Sequence, residues 1–87
     1  MVVYKGHDTL VASPDGRLGF APAAPAWLAS AGTGDVLAGI IAAFRARGMP
    51  SFEAACAAVW IHGRAAEIAG PTMIADDLVA AIPLALA

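Results

Sequence analysis

Proline and glycine punctuate this chain so regularly that they limit which elements it can build. Gly6 ends the β-branched and aromatic run Val2-Val3-Tyr4. A second such run, Thr9-Leu10-Val11-Ala12, stops at Ser13-Pro14-Asp15-Gly16. In that tetrapeptide proline presets φ at the second turn position and glycine suits the last, so Arg17 to Phe20 is expected to return as the other strand of a hairpin. Pro22 and Pro25 argue against a helix over residues 21 to 31, which read as a surface loop.

Beyond Gly32-Thr33-Gly34 the pattern changes. Apolar residues at 36, 37, 40, 41 and 44 fit a helix with one broad buried face. Arg45 and Arg47 fall in its last turn, where cations suit the helix dipole, and Gly48 is a good residue to follow the end. Pro50 closes the segment. Ser51 is the expected N-cap of a second helix, with Glu53 in its first turn, running to about Ala69 ahead of Gly70-Pro71. Asp76 is the expected N-cap of a short third helix stopped by Pro83. Strands followed by helices, with no βαβ alternation, can mean an α+β fold, but here they favour the tail of a larger α/β fold.

Composition agrees that more chain or sister subunits must cover these elements. Of 87 residues, 60% are hydrophobic and 14% charged, where soluble domains carry about a quarter charged residues. A chain this short cannot hide that much apolar surface in a core of its own. A membrane is the weaker explanation. The uncharged stretch Leu18 to Gly34 is broken by Pro22, Pro25, Gly19 and Gly32, and the apolar run after Asp35 ends at Arg45, well short of the roughly 20 residues of a spanning helix. The start, Met1-Val2-Val3-Tyr4, does not have the pattern of a signal peptide. A cytoplasmic protein is therefore expected, its excess apolar surface meeting missing chain or the sister subunits of a homo-oligomer. The single cysteine, Cys56, excludes a disulfide within one chain and reads as a packed thiol. A net charge of −2 and no basic patch argue against nucleic acid as a partner.

Two segments carry the chemistry. In Gly32-Thr33-Gly34-Asp35 two glycines flank a threonine just before a helix. Glycine permits positive φ and close approach of a ligand. The first N–H groups of the helix have no partner within it and face whatever lies ahead of the N-terminus, where the dipole favours an anion. A phosphate would be repelled by Asp35 unless that carboxylate faced another group. A substrate hydroxyl is such a group: the carboxylate can take its proton while the amides hold the developing charge. The bland reading is a helix start with an acidic first turn. In Lys5-Gly6-His7-Asp8-Thr9 a lysine and a threonine bracket a glycine turn, which offers a mobile cation and hydroxyl and amide donors to a phosphate. The bland reading is a polar turn. His7 and Asp8, adjacent in an extended segment, point opposite ways and make a poor pair. His62, Trp27 and Trp60 read as packing residues, and nothing has zinc spacing.

Together these segments are far more specific than any one of them. Lys5-Gly6-His7-Asp8-Thr9 with Ser13-Pro14-Asp15-Gly16, then Ala29 to Ile41 around Gly32-Thr33-Gly34-Asp35, resembles the ADP- or ATP-dependent NAD(P)H-hydrate dehydratases of the ribokinase-like superfamily. So do Glu53-Ala54-Ala55 with His62-Gly63 and Ala65, and Ile74-Ala75-Asp76-Asp77-Leu78 with Ile82-Pro83. The resemblance spans about Lys5 to Pro83 and covers roughly the last third of the family's catalytic domain. Ala23 and Ala24 depart from the Asn or Gly often found ahead of the signature loop.

The resemblance implies that residues 1–87 are the C-terminal portion of one ribokinase-like α/β domain: a β-hairpin, two long helices and a short one. It implies repair of hydrated NADH and NADPH. ADP or ATP, with Mg²⁺, would phosphorylate the hydroxyl on the nicotinamide ring, and phosphate would then leave. Lys5, Gly6, His7, Asp8, Thr9 and Gly34 would contact the nucleotide. Gly32, Thr33 and Gly34 would form the anion hole. Asp35 would meet the substrate hydroxyl as base, and no residue here would be a dedicated metal ligand. These 87 residues alone are expected to be poor catalysts. Two alternatives stay open: a ribokinase-like kinase of a sugar or vitamin-precursor alcohol, and a non-catalytic assembly or binding module.

Overall fold

The computed structural model describes residues 1–5, 9–21, 25 and 32–86. Its elements are β1 (Val2–Lys5), β2 (Thr9–Ala12), β3 (Leu18–Ala21), α1 (Thr33–Ala46), α2 (Ser51–Ala69) and α3 (Ala75–Leu86). The strands form one antiparallel sheet in the order β1-β2-β3. The turn at 13–16 forms as the sequence predicts. Gly16 takes φ 91° and donates to the Ser13 carbonyl at 3.0 Å, and Ser13 N–H donates to Arg17 at 2.9 Å.

Register sorts the sheet into two faces. Val3, Val11 and Gly19 stand opposite one another, as do Tyr4, Leu10 and Phe20 one step along. Side chains alternate between faces, so these two rows point opposite ways. The first row meets α2: Val11 is buried, and a Cβ built on Gly19 would lie 2.8 Å from Cys56 Sγ and 3.5 Å from the Phe52 ring. Burial pushes the Cys56 thiol pKa up. The second row is exposed at Tyr4 and Phe20 and apolar throughout. A sheet that is apolar on both faces has the character of one covered on both sides.

Arg17 ties this hairpin to the start of α2. Its guanidinium bonds Asp15 and Glu53, each at 2.8 Å, and lies 4.7 Å from the centre of the Phe52 ring. The Arg17 backbone N–H and Ser13 together hold the Asp15 carboxyl below its ordinary range.

The helices pack around α2. Its buried face is Ala54, Ala55, Ala58, Ile61, His62, Ala65 and Ala66, mostly alanine. Leu37 and Ile40 of α1 and Leu78, Ala81 and Ala85 of α3 close the core. α1 ends as the sequence predicts. Gly48, at φ 91°, donates to Arg45, and Met49 donates to Phe44, the paired bonds of a Schellman end. Among the described residues no helix is long and apolar enough to cross a membrane.

Four expectations need correction. Pro83 does not stop α3, which continues to Leu86. Its missing N–H and the carbonyl it leaves unpaired fall on the exposed face near the helix end, where water can serve them. Ser51 is the first helical residue and Pro50 the cap position, with no side-chain cap bond. At the start of α3 the cap works in reverse: Asp77 Oδ2 accepts from the Ile74 N–H at 2.9 Å, and Asp76 stands exposed in the first turn. Trp60 is 64% exposed, since the alanine face of α2 turns it outward.

Gly19→Ala should destabilise the protein by roughly 1–3 kcal/mol, because the new methyl overlaps Cys56 Sγ. In a double-mutant cycle followed by urea unfolding, Cys56→Ala should recover most of that loss. Additive losses would contradict the contact.

Candidate active site

α1 begins without a capping side chain. Gly32 holds the cap position at φ 87°, ψ −9°, a left-handed conformation that costs other residues strain. Its carbonyl accepts the first helical bond, from Val36 N–H at 3.3 Å. The amides of Gly34 and Asp35 precede that bond and have no acceptor within the helix. Both residues are exposed. The dipole of the 14-residue helix adds to the positive potential at this end.

The two glycines of the loop have different reasons to be glycine. Gly32 needs its positive φ, and a Cβ there would come within 3.2 Å of Ala75 Cβ at the start of α3. Gly34 lies in ordinary helical backbone, and a Cβ on it would meet no atom of the described residues within 4 Å. Nothing among the described residues requires glycine at 34. Empty space beside exposed amides is what an approaching ligand would need.

Thr33 and His62 fix the loop from beneath. Thr33 is 4% exposed and His62 2%. His62 Nε2 lies 2.8 Å from the Thr33 carbonyl oxygen. A carbonyl only accepts, so Nε2 carries the proton and donates it. Sequence reasoning took His62 as a packing residue. It is packed, but its partner is the candidate loop. The usable signal was chemical: a histidine buried among alanines needs a hydrogen bond.

Asp35 stands exposed in the first turn of α1, next to the open space over Gly34. Ala75 brings the start of α3 against Gly32, so the first-turn carboxylates Asp76 and Asp77 belong to the neighbouring helix end. Asp77 is engaged with the Ile74 amide. No group of three His, Cys, Asp or Glu that could hold a metal occurs among the described residues.

The second candidate segment is described only at its ends. Lys5, the last residue of β1, pairs in register with Thr9, the first of β2, and Thr9 is buried. Gly6, His7 and Asp8 lie outside the described residues, as do Trp27 and Ala29 to Ala31. β2, β3 and α1 all pack on α2, which is the common support of both segments.

Comparison with known proteins identifies the family. The Carb_kinase family model, described as NAD(P)H-hydrate dehydratase, matches residues 1–84. The ADP-dependent (S)-NAD(P)H-hydrate dehydratase of Neisseria meningitidis serogroup B is 57% identical over 67 residues, 77% of this chain and 23% of that protein. The bifunctional NAD(P)H-hydrate repair enzyme Nnr of Mycobacterium leprae is 45% identical over 67 residues, 77% of this chain and 14% of that protein. The enzyme of the same name from Salinibacter ruber is 44% identical over 84 residues, 91% of this chain and 16% of that protein. The chain thus spans less than a quarter of the length of these relatives.

The two glycines should separate in experiment. In the full-length protein Gly32→Ala should cost about 1–3 kcal/mol of stability through its left-handed backbone. Gly34→Ala should leave stability within about 1 kcal/mol of the parent while weakening ADP binding roughly tenfold, about 1.4 kcal/mol. Urea unfolding and calorimetric titration with ADP check both. Unchanged ADP affinity in Gly34→Ala would count against a ligand at this loop.

Proposed function

The chain belongs to the NAD(P)H-hydrate dehydratase family, and on that premise we propose that it is the C-terminal portion of a ribokinase-like catalytic domain that dehydrates hydrated NADH or NADPH at the expense of a nucleotide. The observation that carries this is the loop at the start of α1. It joins exposed amides, open space over Gly34 and a first-turn carboxylate, Asp35. The name of the Neisseria meningitidis relative supports ADP as the donor.

In this reading the terminal phosphoryl group of ADP sits ahead of the helix, against the amides of Gly34 and Asp35. The Asp35 carboxylate accepts the proton of the ring hydroxyl. That oxygen then attacks phosphorus, the bond to the leaving AMP breaks, and the amides hold the charge spread over the phosphoryl oxygens. Phosphate next departs from the ring, and the neighbouring ring carbon loses a proton, which restores the dihydropyridine. Lys5 through Thr9, whose two ends pair in register, would contact the nucleotide's phosphates or ribose. Mg²⁺ would arrive on those phosphates to offset their charge, a mode that needs few protein ligands.

The apolar outer face of the sheet and the exposed Val79, Leu84 and Leu86 of α3 would meet the preceding part of the domain and sister subunits of a homo-oligomer. A pI near 5.4 and the lack of a basic patch support small-molecule partners and no nucleic acid. The enzyme would work in the cytoplasm, without a membrane partner.

Asp35→Asn in the full-length enzyme should lower kcat by about 10²–10⁴-fold, the contribution expected of a general base. Nucleotide affinity should stay within a few-fold. Recovery of NADH absorbance from hydrated NADH with ADP and Mg²⁺ reads the first, and calorimetric titration the second. A variant as active as the parent would remove Asp35 from the chemistry. No recovery by the parent would turn attention to small-alcohol kinase activity.

A further inference from the structure

We infer that His62 is a positioning residue for phosphoryl transfer: by donating from Nε2 to the Thr33 carbonyl it fixes the Thr33–Gly34 peptide and so aims the Gly34 amide at the transferred group. This rests on the proposed reading of the loop and adds a residue to it.

The Thr33 carbonyl and the Gly34 N–H belong to one planar unit and point in opposite directions. A donor held on the oxygen therefore sets the direction of the N–H. The bond is 2.8 Å long, joins residues 29 apart in sequence and is buried. It also draws charge toward the oxygen, which makes the N–H at the other end a better donor.

The clamp adds to the helical bonding of the first turn. Gly32 brings no side-chain cap, and Gly34 has no side chain to hold it in place. Glycine is the residue with most backbone freedom to lose. Donors aimed at a reacting phosphoryl group act best when no reorganisation is needed during the reaction.

α2 is built to present this histidine. Ala58, Ala65 and Ala66 share its buried face and are fully buried. With methyl groups as neighbours, α1 comes near enough for an imidazole to reach its backbone. His62 faces the site from beneath, so it touches no substrate and acts through the peptide.

The test uses the full-length enzyme with hydrated NADH, ADP and Mg²⁺. His62→Leu removes the donor, and His62→Gln keeps an N–H near the Nε2 position. At a temperature where each is folded, His62→Leu should lose roughly tenfold or more in kcat. Its KM for the hydrate should stay within about twofold, since uniform binding is untouched. His62→Gln should return to within about threefold of the parent kcat, a rescue that a purely structural role would not produce. A folded His62→Leu with parental kcat, or a folded His62→Gln as slow as His62→Leu, would overturn the inference. If His62→Leu does not fold, side-chain ¹⁵N shifts of the parent decide. A protonated Nε2 that persists with ADP bound supports the clamp, and an unprotonated Nε2 refutes it. A parent enzyme without turnover would fall on the functional reading, and the same ¹⁵N measurement would then judge His62 alone.

Discussion

Where the sheet, α1 and α3 meet α2, the side chains that separate them are mostly methyl groups. Ala54, Ala55, Ala58, Ala65 and Ala66 are all fully buried. Alanine costs helix formation least and occupies little space, so one helix can be both stable and closely approached. Three contacts depend on that closeness. Gly19 sits against Cys56, Gly32 against Ala75, and His62 reaches the Thr33 carbonyl. Each brings a side chain against the backbone or Cβ position of a neighbouring element, which a larger residue at the seam would hold apart. The arrangement stabilises less through large buried side chains than through close packing. Leu78 is the largest fully buried side chain among the described residues.

That closeness explains why the start of α1 is rigid and open at once. Beneath and beside the loop, described residues pack closely: His62 bonds the Thr33 carbonyl, Ala75 lies against Gly32, and Thr33 is buried. Above it, no atom of the described residues lies within 4 Å of a Cβ on Gly34, and the amides of the first turn lack helical acceptors. A site that has to hold charge during a reaction needs both properties. Its donors must be fixed beforehand, and room must remain for the reacting group.

Much of this was legible in the sequence, for reasons that can be assigned. The turn at 13–16 and the end of α1 at Gly48 follow from local backbone chemistry, where one glycine at positive φ settles the geometry. The periodicity of residues 36 to 44 placed Leu37 and Ile40 in the core. What failed depends on neighbours or on competition between near-equal choices. Asp76 and Asp77 could each cap α3, and the bond to Ile74 goes to Asp77. Pro83 forbids one bond, but packing of Ala81 and Ala85 carries the helix past it. Trp60 looked like core by its composition, yet the alanine face fixed which side of α2 is buried. In the site, the loop and Asp35 stood out because glycines ahead of an apolar-faced helix are a local signal. His62 did not, because its partner is 29 residues away and is a backbone carbonyl, which no residue pattern displays. Of the Lys5–Thr9 segment, the register pairing of its two ends is seen, and Gly6, His7 and Asp8 lie outside the described residues.

The central claim is that a nucleotide phosphate rests on the first turn of α1. Amide hydrogen exchange of the full-length protein, with and without ADP and Mg²⁺, tests it most directly. Exchange at Gly34 and Asp35 should slow on binding, to a greater degree than at the far end of the same helix near Arg45 and Ala46. Binding of ADP that leaves Gly34 and Asp35 exchanging at their free rate, with protection elsewhere, would contradict it.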